Sequence, residues 1–293
     1  MPSGRIDPQL IEGAKARLQE WGHPVSTGAH AYSPEGRFGG SEADRLADLN
    51  DALSDPEGGF VLCARGGYGL VQILDRVTLP ASGATVVGFS DVTALHLLFG
   101  TRDLPSVHAV MAKHLTEYDT HRESCDALRA VLRGEPLTYH LPPHPLNRAG
   151  KAEGILRGGN LSVLYGLQGT PYAVRTDEPA ILFIEDVGER PYAIDRMMHN
   201  LRLSGVLSRL SGLIVGQFSD YEEDPQMGGT VYERIRALVE PYDYPVLFDF
   251  PAGHVERNLP LLMNANAVLE VNDNETVLGQ KGLSEYNAKT HHY

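Results

Sequence analysis

Three polar residues that could share one catalytic site follow three short apolar runs of the chain. Ser90 and His254 come shortly after the first and third runs, and Glu185 comes directly after the second. The runs are Ala84–Val87, Ala180–Ile184 and Pro245–Phe250. Open α/β sheets place ligands and chemistry at the carboxyl ends of their strands. A serine needs a base, and the base needs an orienting carboxylate, so this order of residues indicates a serine hydrolase triad.

Each of the three residues also has an ordinary structural explanation, and the residues alone leave the choice open. Ser90 lies between an apolar run and a helical pattern, where serine commonly caps a helix. The match to the nucleophile turn Gly-x-Ser-x-Gly is partial, since Gly88 is present but Val92 occupies the last glycine position. Glu185 could form an ion pair with a nearby arginine, and His254 is one of twelve histidines.

A glycine-rich segment, Arg65–Gly69, follows the apolar run Phe60–Ala64. Glycines allow a positive φ and a close approach of the backbone to a ligand. The segment could therefore donate an N–H group to an oxyanion or hold a polar group. It is not a Walker loop, because no Gly-Lys-Ser/Thr follows it. A tight turn without a ligand is the alternative.

Other catalytic classes have weaker support. No His-Glu-x-x-His motif occurs, and His108, His114 and His121 do not share one helical face, so no metal site is expected. Cys63 and Cys125 do not precede a helix in an electropositive segment, and two cysteines are too few for a disulfide framework. No Gly-x-Gly-x-x-Gly lies between a strand and a helix, which disfavours a nicotinamide site.

The composition is that of an ordinary globular protein. The chain has 293 residues, of which 42% are hydrophobic and 22% charged. Its net charge of −13 and the absence of a basic run argue against a nucleic-acid partner. No apolar stretch reaches the roughly 18 to 20 residues of a membrane helix, and the first residues lack the apolar core of a signal peptide. We therefore expect a cytoplasmic protein that does not bind membranes.

Apolar runs alternate with helical patterns along most of the chain, which predicts an α/β fold. The segment 134–153 is rich in Pro, His and Gly and shows no periodicity, so it is predicted to be a linker. It separates an N-terminal α/β domain, 1–133, which carries the serine, from a C-terminal domain, 154–293, which carries the acid and the histidine. The later part of the C-terminal domain alternates as antiparallel β structure does.

Several motifs along the chain closely resemble those of the serine LD-carboxypeptidases, a family that includes the microcin C self-immunity peptidase. The motifs are Arg65-Gly-Gly-Tyr-Gly69, Gly88-Phe-Ser-Asp-Val-Thr-Ala-Leu-His96, Gly158-Gly-Asn-Leu161 with Gly169-Thr-Pro171, and Ile184-Glu-Asp-Val-Gly-Glu-Arg-Pro-Tyr-Ala-Ile-Asp-Arg196. They occur in the family's order, and the resemblance covers nearly the whole chain. Together they are far more specific than any one motif.

The resemblance implies a role for each matching residue. Ser90 would be the nucleophile, Glu185 the orienting acid, and His254 the general base and then the general acid. The backbone N–H groups of Asp91 and Gly67 would form the oxyanion hole. A substrate that ends in a carboxylate needs a cation, and Arg65, with Gly66 beside it, is the candidate for substrate binding by position. A structural ion pair is the alternative for the arginine.

The resemblance also implies the fold and the reaction. The fold would be a Rossmann-like parallel-sheet domain of the glutamine-amidotransferase type, followed by a smaller C-terminal α/β domain with a β-rich end. Family members are commonly homodimers, and no metal or organic cofactor is expected. The typical reaction hydrolyses the bond between L-lysine or meso-diaminopimelate and a terminal D-alanine, which trims murein tetrapeptides during cell-wall recycling.

Two further functions and two departures from the family pattern accompany this prediction. The chain could instead be an immunity-type peptidase or amidase that cleaves peptidyl- or aminoacyl-nucleotides, or a catalytically silent module that binds murein peptides.

The family usually has His-Gly-Pro-Met where this chain has His108-Ala-Val-Met111, which bears on substrate preference. Family chains also begin with a strand before a Pro-Ser-Gly turn, whereas this sequence begins at Met1-Pro-Ser-Gly4, so we hypothesise that the native start lies upstream.

Overall fold

The computed structural model describes residues 2–56, 58–80 and 83–287, which form β-sheets flanked by helices. The strands are β1 (Gly59–Leu62), β2 (Ala84–Val87), β3 (Ser106–His108), β4 (Leu137–Leu141), β5 (Gly150–Asn160), β6 (Ala180–Val187), β7 (Leu210–Ser219), β8 (Val246–Leu247), β9 (Leu261–Met263), β10 (Ala265–Val271) and β11 (Thr276–Gln280). The α-helices are α1 (Pro8–Glu20), α2 (Glu42–Leu53), α3 (Thr93–Gly100), α4 (Ala112–Thr116), α5 (Arg122–Leu132), α6 (Leu161–Leu167), α7 (Pro191–Leu203), α8 (Val231–Leu238) and α9 (Leu283–Asn287).

The first sheet carries the nucleophile candidate, and its strand order in the described residues is β1-β2-β3-β9. Strands β1, β2 and β3 are parallel, and β9 runs antiparallel to β3. All four residues of β2 are buried, as expected for a parallel strand covered on both faces. Every residue of α3, which follows β2, is also buried. The end of β2 is therefore held in a fixed position.

Local sequence signals begin the first two helices. Asp7 caps α1 by accepting a hydrogen bond from the N–H of Gln9, and Pro8 occupies the first helical position. Ser41 and Asp44 form a capping box at the start of α2. Such reciprocal capping satisfies N–H groups that would otherwise lack partners, so these helices begin where the sequence indicates.

The second sheet carries the acid candidate, and its strand order in the described residues is β4-β11-β10-β5-β6-β7-β8. Strands β5 to β8 are parallel, whereas β10 and β11 and the edge strand β4 pair antiparallel. Buried and exposed residues alternate along β10, while β6 is buried almost throughout. This contrast reflects a sheet whose parallel half is covered on both faces, by helices on one face and by the segment 250–263 on the other, and whose strand β10 has one face in solvent.

The predicted α/β fold and the antiparallel end of the chain are confirmed, but the predicted linker has a different structure. The segment 134–153 contains β4 and the beginning of β5, and both strands belong to the second sheet. Strand β4 is an edge strand with polar residues on its outer face, so it lacks the apolar run that marks a buried strand. With β4 included, the second sheet has seven strands against four in the first, within the described residues.

The two sheets meet where the strand ends carry the candidate residues. The N–H of Asn160, at the end of β5, donates to Thr93 Oγ1 at 2.9 Å. A Cβ at Gly159 would lie 2.4 Å from the same Thr93 oxygen, so this close approach requires glycine. One apolar cluster joins Val86 of β2 to Ile184 of β6. This shared core positions the ends of β2 and β6 relative to each other.

No helix among the described residues combines the length and the apolar character needed to cross a lipid bilayer.

Candidate active site

Ser90 lies on a strained turn between β2 and α3. Its φ is 67°, in the left-handed region, which costs a non-glycine residue about 1 to 2 kcal/mol. The turn starts at Gly88, where φ is 155° and an added Cβ would lie 3.0 Å from Val92 Cγ2. The Ser90 side chain forms no capping hydrogen bond with the helical turn Ser90–Val92 or with α3. The helix-cap explanation of this serine is therefore wrong.

Gly66 packs directly against the Ser90 turn. A Cβ at Gly66 would lie 2.8 Å from Ser90 Cβ, 3.0 Å from Ser90 Oγ and 3.1 Å from Phe89 O. Distances this short leave no space for a side chain at this position. The glycine loop 65–69 and the serine turn are therefore one packed unit.

The Asp91 side chain fixes the glycine loop to the serine turn. Its carboxylate accepts hydrogen bonds from the Ser3 hydroxyl and from the N–H of Leu70, which is 3.0 Å away. The buried guanidinium of Arg45 donates to the carbonyl oxygens of Pro2 and Gly69 at 3.1 and 2.8 Å. These contacts hold both ends of the loop. Residues 2–3, Arg45 and the Asp91 side chain had no predicted role, because no local sequence pattern marks contacts between distant segments.

Two backbone N–H groups next to the Ser90 turn are the candidate oxyanion donors. Within the described residues, the N–H groups of Asp91 and Gly67 donate to no protein acceptor. Asp91 directly follows Ser90 in the chain, and Gly67 directly follows Gly66, which packs against Ser90. Gly67 has a φ of 104°, which favours glycine at this position. This arrangement suits the oxyanion hole predicted for these two residues.

Glu185, which is buried, and His254, which is partly exposed, form a hydrogen-bonded pair. Glu185, near the end of β6, is fully buried, and its Oε2 atom lies 2.8 Å from His254 Nδ1. Gly253 has a φ of 139°, and a Cβ there would lie 3.1 Å from Glu185 Oε2. Because Glu185 is buried and bonded to the imidazole, the explanation of this residue as a surface ion-pair carboxylate is wrong.

The pair alters the protonation of the imidazole. Burial by itself lowers the pKa of His254, but the hydrogen bond to Glu185 and the negative charges of Glu185, Asp186 and Asp220 outweigh it. The pKa of His254 is therefore raised above its ordinary value. With Nδ1–H donating to the carboxylate, Nε2 is the nitrogen left to accept a proton.

His254 lies beside the serine turn without a direct bond to Ser90. Its ring centroid is 4.8 Å from that of Phe89, the residue before the serine. Within the described residues, Ser90 Oγ and His254 form no hydrogen bond at or below 3.5 Å. Catalytic hydrogen bonds are often long or poorly aligned before substrate binds, so the missing bond does not exclude His254 as the base. The structure thus brings all three predicted residues to one place.

Asp186 supports the site and was not predicted. Its carboxylate accepts hydrogen bonds from Asn160 Nδ2 at 2.9 Å and from the N–H of Ser162 at 2.8 Å. Burial and the neighbouring charge of Glu185 raise the pKa of Asp186 to about 6. The side chain connects the ends of β5 and β6, so it stabilises the strand that carries Glu185.

Asn258 and His108 hold the histidine loop. Asn258 Oδ1 accepts a hydrogen bond from the N–H of Gly253 at 3.0 Å and lies 3.2 Å from His108 Nε2. Burial lowers the pKa of His108 to about 3, so this imidazole is neutral and donates to Asn258. Ala109 and Val110, the departure from the family pattern, are fully buried in the core.

Neither the two cysteines nor a group of metal ligands forms an alternative catalytic site in the described residues. Burial raises the pKa of both Cys63 and Cys125 to about 12, which leaves the thiols protonated near neutral pH. Among the described residues, no group of three or more His, Cys, Asp or Glu side chains is arranged to hold a metal ion.

The candidate for substrate binding, Arg65, is exposed and donates to the carbonyl oxygen of Arg5 at 2.6 Å.

Comparison with known proteins identifies the family. Residues 1–109 match the LD-carboxypeptidase N-terminal domain, and residues 153–269 match the LD-carboxypeptidase C-terminal domain. A Bacillus subtilis protein named "Probable murein peptide carboxypeptidase" is 31% identical over 300 residues, which cover 99% of this chain and 92% of that protein.

Two further relatives have related but distinct names. The crystal structure of muramoyltetrapeptide carboxypeptidase from Oxalobacter formigenes aligns with a TM-score of 0.87 and 25% identity, over 96% of each chain. The microcin C7 self-immunity protein MccF of Escherichia coli is 23% identical over 303 residues, covering 91% of this chain and 87% of that protein. On the two domain matches and these similarities, the chain belongs to the LD-carboxypeptidase family of serine hydrolases.

Proposed function

We propose that the chain hydrolyses the peptide bond between an L-centre and a terminal D-alanine of murein tetrapeptides, with Ser90, Glu185 and His254 as the catalytic triad. The observation that carries this proposal is the hydrogen-bonded Glu185–His254 pair beside the strained serine turn. Two relatives are named as a probable murein peptide carboxypeptidase and a muramoyltetrapeptide carboxypeptidase, and these names support the substrate class.

The first half of the reaction forms an acyl-enzyme. Ser90 Oγ attacks the carbonyl carbon while His254 Nε2 takes the hydroxyl proton. The negative charge that develops on the carbonyl oxygen is stabilised by the N–H groups of Asp91 and Gly67. The C–N bond then breaks, and the imidazolium gives its proton to the departing amine of D-alanine. Glu185 stabilises the imidazolium throughout.

The second half releases the tripeptide. D-Alanine leaves, and a water molecule takes its place beside His254. The imidazole removes a proton from this water as it attacks the ester carbonyl. Collapse of the tetrahedral intermediate breaks the bond to Ser90 Oγ, which regains a proton from His254. Arg65, with Gly66 beside it, binds the substrate carboxylate in this proposal.

Replacing Ser90 with alanine tests the nucleophile. We expect Ser90→Ala to lower D-alanine release from a murein tetrapeptide by about 10⁴- to 10⁶-fold, because the remaining residues cannot form the ester. The fold should persist, since the change removes one hydroxyl from a partly exposed residue. Ser208→Ala, at an exposed serine after α7, is the matched control and should keep wild-type activity.

Mass-spectrometric detection of D-alanine reports the result. Equal release by wild type and Ser90→Ala would exclude Ser90 from the mechanism. No release by wild type would contradict the carboxypeptidase proposal and favour a silent binding module.

An immunity-type activity is the second candidate, because MccF is also a relative. The sequence's single tryptophan, Trp21, packs against Tyr118 in the core cluster of the first sheet, so it does not face Ser90. Tyr68, which is 49% exposed and directly follows Gly67, is a candidate for stacking on a nucleobase. Ser90-dependent cleavage of an aminoacyl-nucleotide, without release of D-alanine from the tetrapeptide, would favour this candidate.

The cytoplasmic location, the homodimer and the absence of nucleic-acid and membrane partners remain predictions. Light scattering on the purified protein tests the homodimer.

A further inference from the structure

Three arginines line a cavity beside the loop that contacts Ser90. The cavity has a volume of about 960 Å³, and Arg5, Arg37 and Arg65 are among its lining residues. The N–H of Arg5 donates to the carbonyl oxygen of Arg37 at 2.8 Å, and Arg65 Nη1 donates to the carbonyl oxygen of Arg5 at 2.6 Å. One backbone position, Arg5, therefore holds the other two arginines close to it.

No acidic side chain in the described part of the protein forms an ion pair with these arginines. Within the described residues, no carboxylate lies within 4.0 Å of the guanidinium nitrogens of Arg5, Arg37 or Arg65. Asp7 is the one acidic residue in the described lining of the cavity, and its Oδ1 accepts a hydrogen bond from the N–H of Gln9 at 2.9 Å. In a chain with a net charge of −13, three arginines without acidic partners around one cavity indicate an anionic ligand.

The cavity is close to the reacting atoms. Gly4 and Gly67 line it, and the N–H of Gly4 donates to the carbonyl oxygen of Gly66 at 3.0 Å. Gly66 in turn contacts Ser90, since a Cβ there would lie 2.8 Å from Ser90 Cβ. Consecutive Cα atoms are about 3.8 Å apart. A peptide whose scissile carbonyl rests on the N–H of Gly67 can therefore place a neighbouring group in the cavity.

We infer that Arg5, Arg37 and Arg65 form a binding site for a carboxylate of the peptide substrate, next to the bond that is cleaved. This inference rests on the proposed function. The carboxylate has two sources within reach, the terminal carboxylate of the D-residue and the side-chain carboxylate of a diaminopimelate residue before the scissile bond. Guanidinium groups bind carboxylates through charge-assisted hydrogen bonds that are about twice as strong as neutral ones.

Kinetics of single arginine variants test the site. For a diaminopimelate-containing tetrapeptide, we expect Arg5→Gln and Arg37→Gln each to raise KM by about tenfold, as the loss of one charged hydrogen bond does. The value of kcat should stay within about twofold, because neither residue touches the reacting atoms. Salt should raise KM of the wild type more than KM of a variant that carries both Arg5→Gln and Arg37→Gln, since ions screen exposed charges. Arg102→Gln, at an exposed arginine after α3, is the matched control and should leave KM unchanged.

Two altered peptides identify the source of the carboxylate. If the side-chain carboxylate occupies the cavity, the arginine variants will not change KM for a lysine-containing tetrapeptide. If the terminal carboxylate occupies it, they will not change the affinity for a tetrapeptide amide, measured by calorimetry in the Ser90→Ala background. Either pattern supports the site.

Failure of this inference and failure of the proposed function give different results. If wild type releases D-alanine but both arginine variants keep the KM of the Arg102→Gln control, the carboxylate site is wrong and the hydrolase remains. If wild type releases no D-alanine, the proposed function is wrong. In that case calorimetric binding of the same tetrapeptide to wild type and to the arginine variants decides the site, and equal affinities would overturn it.

Discussion

Glu185 is fully buried, and its Oε1 atom has no hydrogen-bond partner among the described residues. A buried carboxylate with few partners is unfavourable, so a positive charge on the neighbouring imidazole stabilises it. In the proposed mechanism, proton transfer from Ser90 creates that charge on His254 during catalysis. At the scale of the residue, the incomplete hydrogen bonding of Glu185 therefore favours the transition state over the resting site.

In the proposed mechanism, the raised pKa of His254 determines the pH dependence of the reaction. The imidazole must be neutral to accept the serine proton, so kcat/KM should fall as the pH drops below the pKa of His254. That pKa lies above the ordinary histidine value of about 6.5. In Glu185→Gln, the hydrogen bond to the carboxylate and its charge are lost while burial remains. The pKa of His254 should therefore fall, moving the acid limb of the profile to lower pH. The maximal rate should drop by about 10⁴-fold.

A pH profile of kcat/KM and an NMR titration of the His254 ring measure this shift, and Ser208→Ala again provides the control. An acid limb that stays at the wild-type pH in Glu185→Gln would show that the carboxylate does not act on His254.

At the scale of the element, the glycine loop 65–69 is positioned by contacts at both ends. The Asp91 carboxylate holds the N–H of Leu70, and Gly66 packs on the serine turn. The loop carries the N–H of Gly67, so its position determines whether this donor can reach the oxyanion. Misplacement of a catalytic group by about 1 Å can lower the rate by about 10²-fold.

Replacing Gly66 with alanine should misplace this loop. The new Cβ would overlap with Ser90, so either the loop or the serine turn must shift. We expect kcat to fall by about 10²-fold or more, with the fold retained. Gly166→Ala is a matched control, because Gly166 lies in α6 and an added Cβ there would contact nothing within 4 Å. Steady-state kinetics and circular dichroism make the comparison, and wild-type kcat in Gly66→Ala would contradict the packing argument.

Sequence patterns predicted the buried strands and their ends better than the side-chain contacts between distant segments that connect them. The apolar run before Ser90 and the buried run before Glu185 both formed strands, because local hydrophobicity marks a buried strand. The edge strand β4 was missed, since its outer face is polar. The roles of Asp186 and Asn258 could not be predicted, because their partners come together only in the folded chain.

At the scale of the whole molecule, the site depends on both sheets. Ser90 follows a strand of the first sheet, whereas Glu185 lies on a strand of the second. The apolar cluster that joins Val86 to Ile184 keeps these strands together. The order of motifs along the chain predicted which residues share the site, but the meeting of the sheets is a property of the tertiary structure.

The most direct measurement of the central claim is the mass of the intact protein after a rapid acid quench with a murein tetrapeptide. The proposed mechanism requires a covalent intermediate, in which Ser90 Oγ forms an ester with the tripeptide before water releases it. We expect a fraction of the wild-type protein to gain the mass of the tripeptide acyl group, with the adduct mapped to Ser90 and none on Ser90→Ala. An adduct on another residue, or D-alanine release that Ser90→Ala retains, would contradict the assignment of Ser90 as the nucleophile.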